Sequence, residues 1–331
     1  MTVTTLLPGT ESPLSRESAR QAFADILDGL PDEDAIATFL IGLSDRGETS
    51  IEIAEAARAL RRRLIPIAAP PGAIDVCGTG GDGHHTLNVS TAVALVVAAA
   101  GVPVAKHGNR AASSKAGAAD TLEALGLDMA RAGASAEQSL ADIGIAFLFA
   151  ANHHPAMARI TPIRKAIGRR TIFNLMGPLA NPAGVTRQLI GIARPDYAPL
   201  YAEALAQLGT QAALVVSGDE GLDELSGAGH SVAIAVGSVD LPSRIAPEDA
   251  GLPRHPIAAI RGGDARENAA ALRRLLTGER GAYRDAVLLN AAAALVVAGR
   301  AATLPEGAAL AAESLDAGKA DTLLDRWIAY R

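Results

Sequence analysis

From Ala73 onward, short apolar runs alternate with helical segments, and that alternation leaves few options beyond a largely parallel sheet flanked by helices. The runs lie near residues 73–77, 102–105, 145–149, 188–193, 212–216 and 231–236. Helices are predicted between them, starting near Ser90, Lys115, Ser135 and Asp196, with Ser135 and Gln138 spaced as a capping box. Met176-Gly-Pro-Leu-Ala-Asn-Pro182 interrupts the alternation and suits a hinge or domain crossing. Beyond Gly263 the pattern is helical again, with Asp264 and Glu267 as a cap and Ala-rich helices reaching Trp327.

The segment ahead of Ala73 differs. Ala19, Ala22, Phe23, Ile26, Leu27 and Leu30 repeat at helical spacing, as do Ile36, Phe39, Leu40 and Leu43. Thr49 and Glu52 then form a capping box before Ile53, Ala57, Leu60 and Leu64. Three short helices have little core of their own and must pack on one another and on a further surface. Residues 66–72, with three prolines, read as a linker. At 331 residues two domains are expected. The expected division is a small all-helical domain at 1–66, joined by helices from about 155–182, and a large α/β domain with a mostly parallel central sheet at 73–331.

A formal charge of −6 argues against a general binder of nucleic acid or anionic membrane, so any phosphate must be held locally. Cys77, the single cysteine, excludes an internal disulfide and fits a buried strand position in a reducing cytoplasm. The N-terminus lacks signal-peptide grammar. No apolar stretch approaches the ~20 residues of a membrane span. The longest, 92–105, is broken by Gly101 and Pro103. A soluble cytoplasmic protein is expected.

Gly78-Thr-Gly-Gly-Asp-Gly83 follows the first predicted strand. Glycines there allow positive φ and let backbone N–H groups approach an anion. The same residues satisfy G-x-G-x-x-G, yet residues 84–88 intervene before the helix. No acidic residue stands ~20 positions on, as a dinucleotide fold requires. Instead Thr86, Asn88, Ser90 and Thr91 cluster where a helix begins, a place that favours phosphate. The second strand then delivers Lys106, Asn109 and Arg110, charge-assisted donors suited to a doubly phosphorylated ligand. Ligands of α/β sheets sit at the carboxyl ends of strands, so both segments face one crevice. Adjacent histidines at 84–85 and 153–154, without cysteine ligands, make a poor zinc site.

Taken together, Gly78-Thr-Gly-Gly-Asp82, Asn88-Val-Ser-Thr91, Lys106-His-Gly-Asn-Arg110 and Ser113-Ser-Lys-Ala-Gly-Ala-Ala-Asp120 resemble the anthranilate phosphoribosyltransferases. The likeness continues through His153-His-Pro-Ala-Met157, Arg164-Lys165, Arg170 to Pro182, Gly221-Leu-Asp-Glu-Leu-Ser226 and Asp285-Ala-Val-Leu-Leu-Asn290. It covers nearly the whole chain. It implies a nucleoside phosphorylase/phosphoribosyltransferase-like fold and the transfer of a phosphoribosyl group from phosphoribosyl diphosphate (PRPP) to anthranilate, in tryptophan biosynthesis. It also implies a homodimer formed through the helical domain.

Carried over by position, the resemblance gives PRPP to Gly78, Gly81, Asp82, Thr86, Asn88, Val89, Ser90, Thr91, Lys106, His107, Gly108, Asn109, Arg110, Ala111, Ala112, Ser113, Ser114 and, through backbone alone, Ala118. Two Mg2+ ions per monomer fall to Ser90, Asp223 and Glu224. Anthranilate falls to Gly78, Asn109 and Arg164, with His107 and His154 lining its route. The expected catalysis is by positioning and electrostatics, without a catalytic acid, base or nucleophile. Ala151, where proline is usual, and Ser217-Gly-Asp-Glu220, where a His-Gly pair is common, depart from the family pattern and bear on loop shape. Two alternatives share the scaffold. One is a pyrimidine nucleoside phosphorylase-like enzyme, whose loop would read Lys-His-Ser-Thr-Gly-Gly. The other is a non-catalytic nucleic-acid-binding relative, which an acidic chain suits poorly.

Overall fold

The computed structural model describes residues 6–111 and 115–331. The expected PRPP contacts at Ala112, Ser113 and Ser114 lie outside the described residues. Three helices open the chain: α1 (Arg16–Asp28), α2 (Glu33–Arg46) and α3 (Ser50–Arg61). Each starts on an N-cap that the sequence supplies. Ser15 accepts from Ser18 N–H, Asp32 from Ala35 N–H, and Thr49 and Glu52 close a capping box. Their apolar faces do not close on themselves. Phe23, Ile36, Leu40 and Ile53 share a core with Ile160, Phe173, Met176, Tyr201 and, from the sheet, Ile190 and Val215.

The remaining elements are β1 (Ile74–Gly78), α4 (Val89–Ala99), β2 (Val104–Gly108), α5 (Ala118–Ala124), α6 (Met129–Ala134), α7 (Ala136–Ile143), β3 (Ile145–Phe149), α8 (Ala150–His153), α9 (Met157–Ile167), α10 (Met176–Leu179), β4 (Arg187–Gly191), α11 (Ala198–Gln207), β5 (Ala212–Gly218), β6 (Ser231–Gly237), β7 (Arg244–Ile245), α12 (Ala265–Leu276), α13 (Ala282–Val297), α14 (Leu304–Asp316) and α15 (Lys319–Ala329). The seven strands form one sheet in the order β3-β2-β1-β4-β5-β6-β7. Pairs from β3 through β5 are parallel, and β6 and β7 add antiparallel. The alternating pattern thus gives the mostly parallel sheet it implies. β7, only two residues long, carries no readable pattern.

The strand order reverses between β1 and β4, where Gly78 lies opposite Gly191. Such a switch point opens a crevice at the carboxyl ends of the strands. One face of the sheet is covered by α4 and α13, both buried almost throughout. The helical layer and α11 cover the other face, on the β4–β6 side.

One local expectation changes, and another is narrowed to one of its two readings. Ser135 does not cap the following helix: its hydroxyl donates back to Arg131 O at 2.9 Å, closing the end of α6. A serine with helical residues on both sides finds its nearest acceptor in the preceding turn. The segment at 176–182 is a packed crossing between the helical layer and the sheet. Asn181 is buried there and donates to Asp75 Oδ2 and Ala105 O, each at 2.8 Å.

Candidate active site

β1 ends at the switch point in a loop whose glycines are used. Gly80, Gly81 and Gly83 have φ of 71°, 78° and 77°. The loop is tied to the turn beyond β5: Gly80 N–H donates to Asp223 Oδ2 at 2.7 Å, and His84 Nε2 to Glu220 O at 3.1 Å. The turn comes this close only because two strand-end residues lack side chains. A Cβ on Gly78 would stand 2.3 Å from Asp223 Oδ2, and one on Gly191 1.5 Å from Asp223 O.

α4 begins where the loop ends, with Asn88 as its N-cap. The Asn88 side chain makes no cap bond and instead accepts from Thr121 Oγ1 at 2.6 Å and from Asn268 Nδ2 at 2.9 Å. In the first turn the Val89 N–H is taken by Leu87 O at 2.7 Å, and the Thr91 N–H has no partner among the described residues. Ser90 N–H donates to Glu224 Oε1 at 3.1 Å. Thr91 Oγ1 is buried without a hydrogen-bond partner among the described residues. A helix start with a spare amide and hydroxyl at Thr91 favours phosphate.

β2 extends through Gly108, so Lys106 and His107 belong to the strand. Lys106 is buried and spans two elements, donating to Val76 O at 2.7 Å and Ser90 Oγ at 3.2 Å. Behind it sits Asp75, fully buried, accepting from His107 N–H at 3.1 Å. Burial raises its pKa and Lys106 opposes the rise.

The His107 ring donates from Nδ1 to Gly177 O at 2.8 Å, which leaves Nε2 to accept from His154 Nε2 at 3.2 Å. Burial, then the neighbouring imidazole, pushes His107 down to about 3; burial, then His153, pushes His154 to about 4. Both rings are neutral at pH 7.

Arg110 is exposed and forks onto Asp120 and Glu123 at 2.6–2.8 Å. Asp120 also accepts from Ala111 N–H at 3.0 Å and Gly117 N–H at 2.9 Å, holding Ala111 against the start of α5. Asn109 Oδ1 accepts from Arg110 N–H at 2.8 Å.

Three carboxylates crowd this crevice. The pKa of Asp223 is raised, first by withdrawal from water and then by the Asp82 carboxylate, and that of Glu224 by the same withdrawal and then by Asp223. Lys106 answers only part of that charge. A hard divalent cation suits such a donor set. Among the described residues no group of three or more His, Cys, Asp or Glu forms a metal cage.

Arg164 lies on α9, partly buried, and its guanidinium has no hydrogen-bond or ion-pair partner among the described residues. Burial lowers its pKa. An uncompensated, partly desolvated cation favours an incoming anion.

Residues 70–321 match the family described as "Glycosyl transferase family, a/b domain", and residues 3–64 its "helical bundle domain". A protein named anthranilate phosphoribosyltransferase from Novosphingobium aromaticivorans is 67% identical over 98% of this chain and 99% of its own length. The chain belongs to the anthranilate phosphoribosyltransferase family.

Anthranilate phosphoribosyltransferases of known structure have the same fold. That of Thermus thermophilus superposes with a TM-score of 0.91 at 44% identity, covering 96% of each chain. The Saccharomyces cerevisiae enzyme, solved in complex with PRPP and Mg, gives 0.85 at 29% identity, covering 96% of this chain and 93% of its own. Among the departures from the family pattern, Ala151 is an exposed residue of α8. Glu220 is fixed by Ser226 Oγ at 2.5 Å.

Several residues around the site carry no sequence signal of their role. Asp75 reads as an interruption of an apolar strand. Tyr283, on α13, donates from its hydroxyl to Asn88 O at 3.2 Å. Arg170 stands in a family-like motif, but only the fold brings it to the glycine loop.

Proposed function

We propose that this chain transfers the 5-phosphoribosyl group of PRPP to the amine of anthranilate, releasing pyrophosphate, as a step of tryptophan biosynthesis. One arrangement carries the proposal: at the switch point, the first turn of α4 and buried Lys106 meet the glycine loop and the Asp223–Glu224 pair. That combination suits a substrate with several phosphates and a cation, in a chain whose relatives bear the name of this activity.

PRPP would be held by Gly78, Gly81, Asp82, Thr86, Asn88 to Thr91, Lys106 to Ala111 and Ala118. Lys106 and the first turn of α4 offer donors to phosphate. Asp223, Glu224 and Ser90 would hold Mg2+, two ions per monomer. When bound, the metal neutralises the charge that develops on the departing pyrophosphate.

Arg164 would take the anthranilate carboxylate in its planar fork. Gly78 and Asn109 complete that side, and the neutral His107–His154 pair lines the approach without competing for the carboxylate. The aromatic amine is uncharged near neutral pH and attacks ribosyl C1 without a general base. The protein therefore acts by holding the two substrates in line and by stabilising charge. Residues 1–66, joined by helices within 155–182, would form the small domain and the face of a homodimer. Residues 73–331 would form the large domain of a cytoplasmic enzyme.

A direct test sets two substrates side by side. Product from anthranilate and PRPP, with no phosphorolysis of thymidine, is the expected outcome. Thymidine phosphorolysis without anthranilate turnover would transfer the chain to the nucleoside phosphorylases.

A further inference from the structure

The chain after α9 is pinned to the end of α2. Arg169 pairs with Asp45 at 2.6 Å and donates to Ser44 Oγ at 3.3 Å, while Ser44 Oγ donates to the Arg170 carbonyl at 3.1 Å. From that anchor the Arg170 side chain reaches the loop after β1. Its Nη2 donates to Gly80 O at 3.1 Å and its Nη1 to Gly81 O at 3.3 Å. A rigid guanidinium fork can hold two carbonyls at once, which an ammonium cannot do in the same geometry. Gly81 makes the approach possible: a Cβ there would stand 2.9 Å from Arg170 Nη1, at a φ of +78°.

Peptide planarity gives this grip a consequence. In a trans peptide the C=O of one residue and the N–H of the next point in opposite directions. Holding the carbonyls of Gly80 and Gly81 therefore turns the N–H groups of Gly81 and Asp82 away from the guanidinium. Neither amide has a hydrogen-bond partner among the described residues, whereas the Gly80 N–H is taken by Asp223. Successive free amides in a glycine loop make a concavity for an anion.

Resting on the PRPP assignment above, we infer that Arg170 is a positioning residue for the diphosphate, aiming the Gly81 and Asp82 amides at the departing pyrophosphate through its grip on two carbonyls. Because its anchor lies at the end of α2, the same grip joins the helical layer to the substrate loop.

Steady-state kinetics of Arg170→Ala and Arg170→Lys in the full chain, with thermal midpoints, test the role. Loss of charge-assisted bonds of this kind should raise KM for PRPP about tenfold or more in Arg170→Ala. KM for anthranilate and the midpoint should stay near those of the unsubstituted chain. Arg170→Lys keeps the charge without the fork and should recover only part of the loss. Full recovery by lysine would assign the effect to charge alone and overturn the role. An unchanged KM for PRPP, or equal rises in both KM values, would overturn it too. If Arg170→Ala does not fold, Arg170→Lys decides alone, and a KM for PRPP equal to that of the unsubstituted chain overturns it. Calorimetric titration with pyrophosphate and Mg2+ makes the same comparison without turnover, the expected result being about tenfold weaker binding by Arg170→Ala. Absence of product from the unsubstituted chain would instead count against the proposed function.

Discussion

Asp223 Oδ2 accepts the backbone N–H of Gly80 at 2.7 Å, joining the turn beyond β5 to the loop beyond β1 across the intervening β4. The carboxylate proposed to hold the cation thus shapes the loop proposed to hold the diphosphate. Substituting it should disturb both. Asp223→Asn is expected to lower kcat/KM by about a hundredfold or more, since a metal ion supplies several kcal/mol of transition-state charge stabilisation. Steady-state assays across a Mg2+ titration check this, and activity near that of the unsubstituted chain at saturating Mg2+ would remove Asp223 from the metal site.

The same crowding predicts a pH dependence of stability. Asp223 and Glu224 have raised pKa values, so the folded state prefers them protonated. Their contribution is fully present below the unfolded carboxylate pKa, about 4, and is lost as pH rises through the higher folded values. In metal-free buffer the thermal midpoint should therefore carry a falling component with rising pH. Mg2+ should cancel it and Asp223→Asn should weaken it. Melting curves that keep the same pH slope in Asp223→Asn would contradict this.

The histidine pair works in the other direction. With His107 near 3 and His154 near 4, both rings stay neutral far below the ordinary imidazole value of about 6.5. Their stabilising contribution is present above that value and is lost as pH falls toward the folded values. NMR titration of the ring C–H signals should show no inflection for either residue between pH 5.5 and 8, as the values of about 3 and 4 require. A midpoint near 6.5 for either would mean that the rings are solvated.

Arg164 has no partner to lose among the described residues, so its removal should cost little stability. Arg164→Ala is expected to raise KM for anthranilate about tenfold or more, the usual effect of deleting a charged hydrogen-bond partner. KM for PRPP should change by less than about twofold. Arg164→Lys should restore only part of the loss, because an ammonium cannot match a carboxylate bidentately. Equal losses for both substrates would argue that Arg164 supports the fold instead.

Gly191→Ala tests the close approach at the switch point. The added Cβ would meet Asp223 O at 1.5 Å, a contact that backbone must move to relieve. Overpacking of this kind costs about 1–3 kcal/mol or more. Both the thermal midpoint and Mg2+-dependent activity should fall, and an unaffected variant would show that the turn is free to shift.

Much of this frame is legible in the residues. The β-strand alternation, the caps at Thr49–Glu52 and Asp264–Glu267 and the glycine loop all express local preferences that the fold keeps. What is not legible depends on neighbours distant in sequence. Lys106 reads as the polar end of a strand, yet it lies inside β2 because Val76 O and Ser90 Oγ satisfy its ammonium. Ser135 carries a capping pattern but meets an acceptor on the preceding helix. Gly191 and Arg170 look ordinary until the turn beyond β5 and the loop after β1 are brought against them.

The central claim is tested most directly by following anthranilate fluorescence as the amine is consumed in the presence of PRPP, with and without Mg2+. Consumption that requires both PRPP and Mg2+, and that collapses in Asp223→Asn, is the predicted result. No consumption under either metal condition by the folded, unsubstituted chain would contradict it.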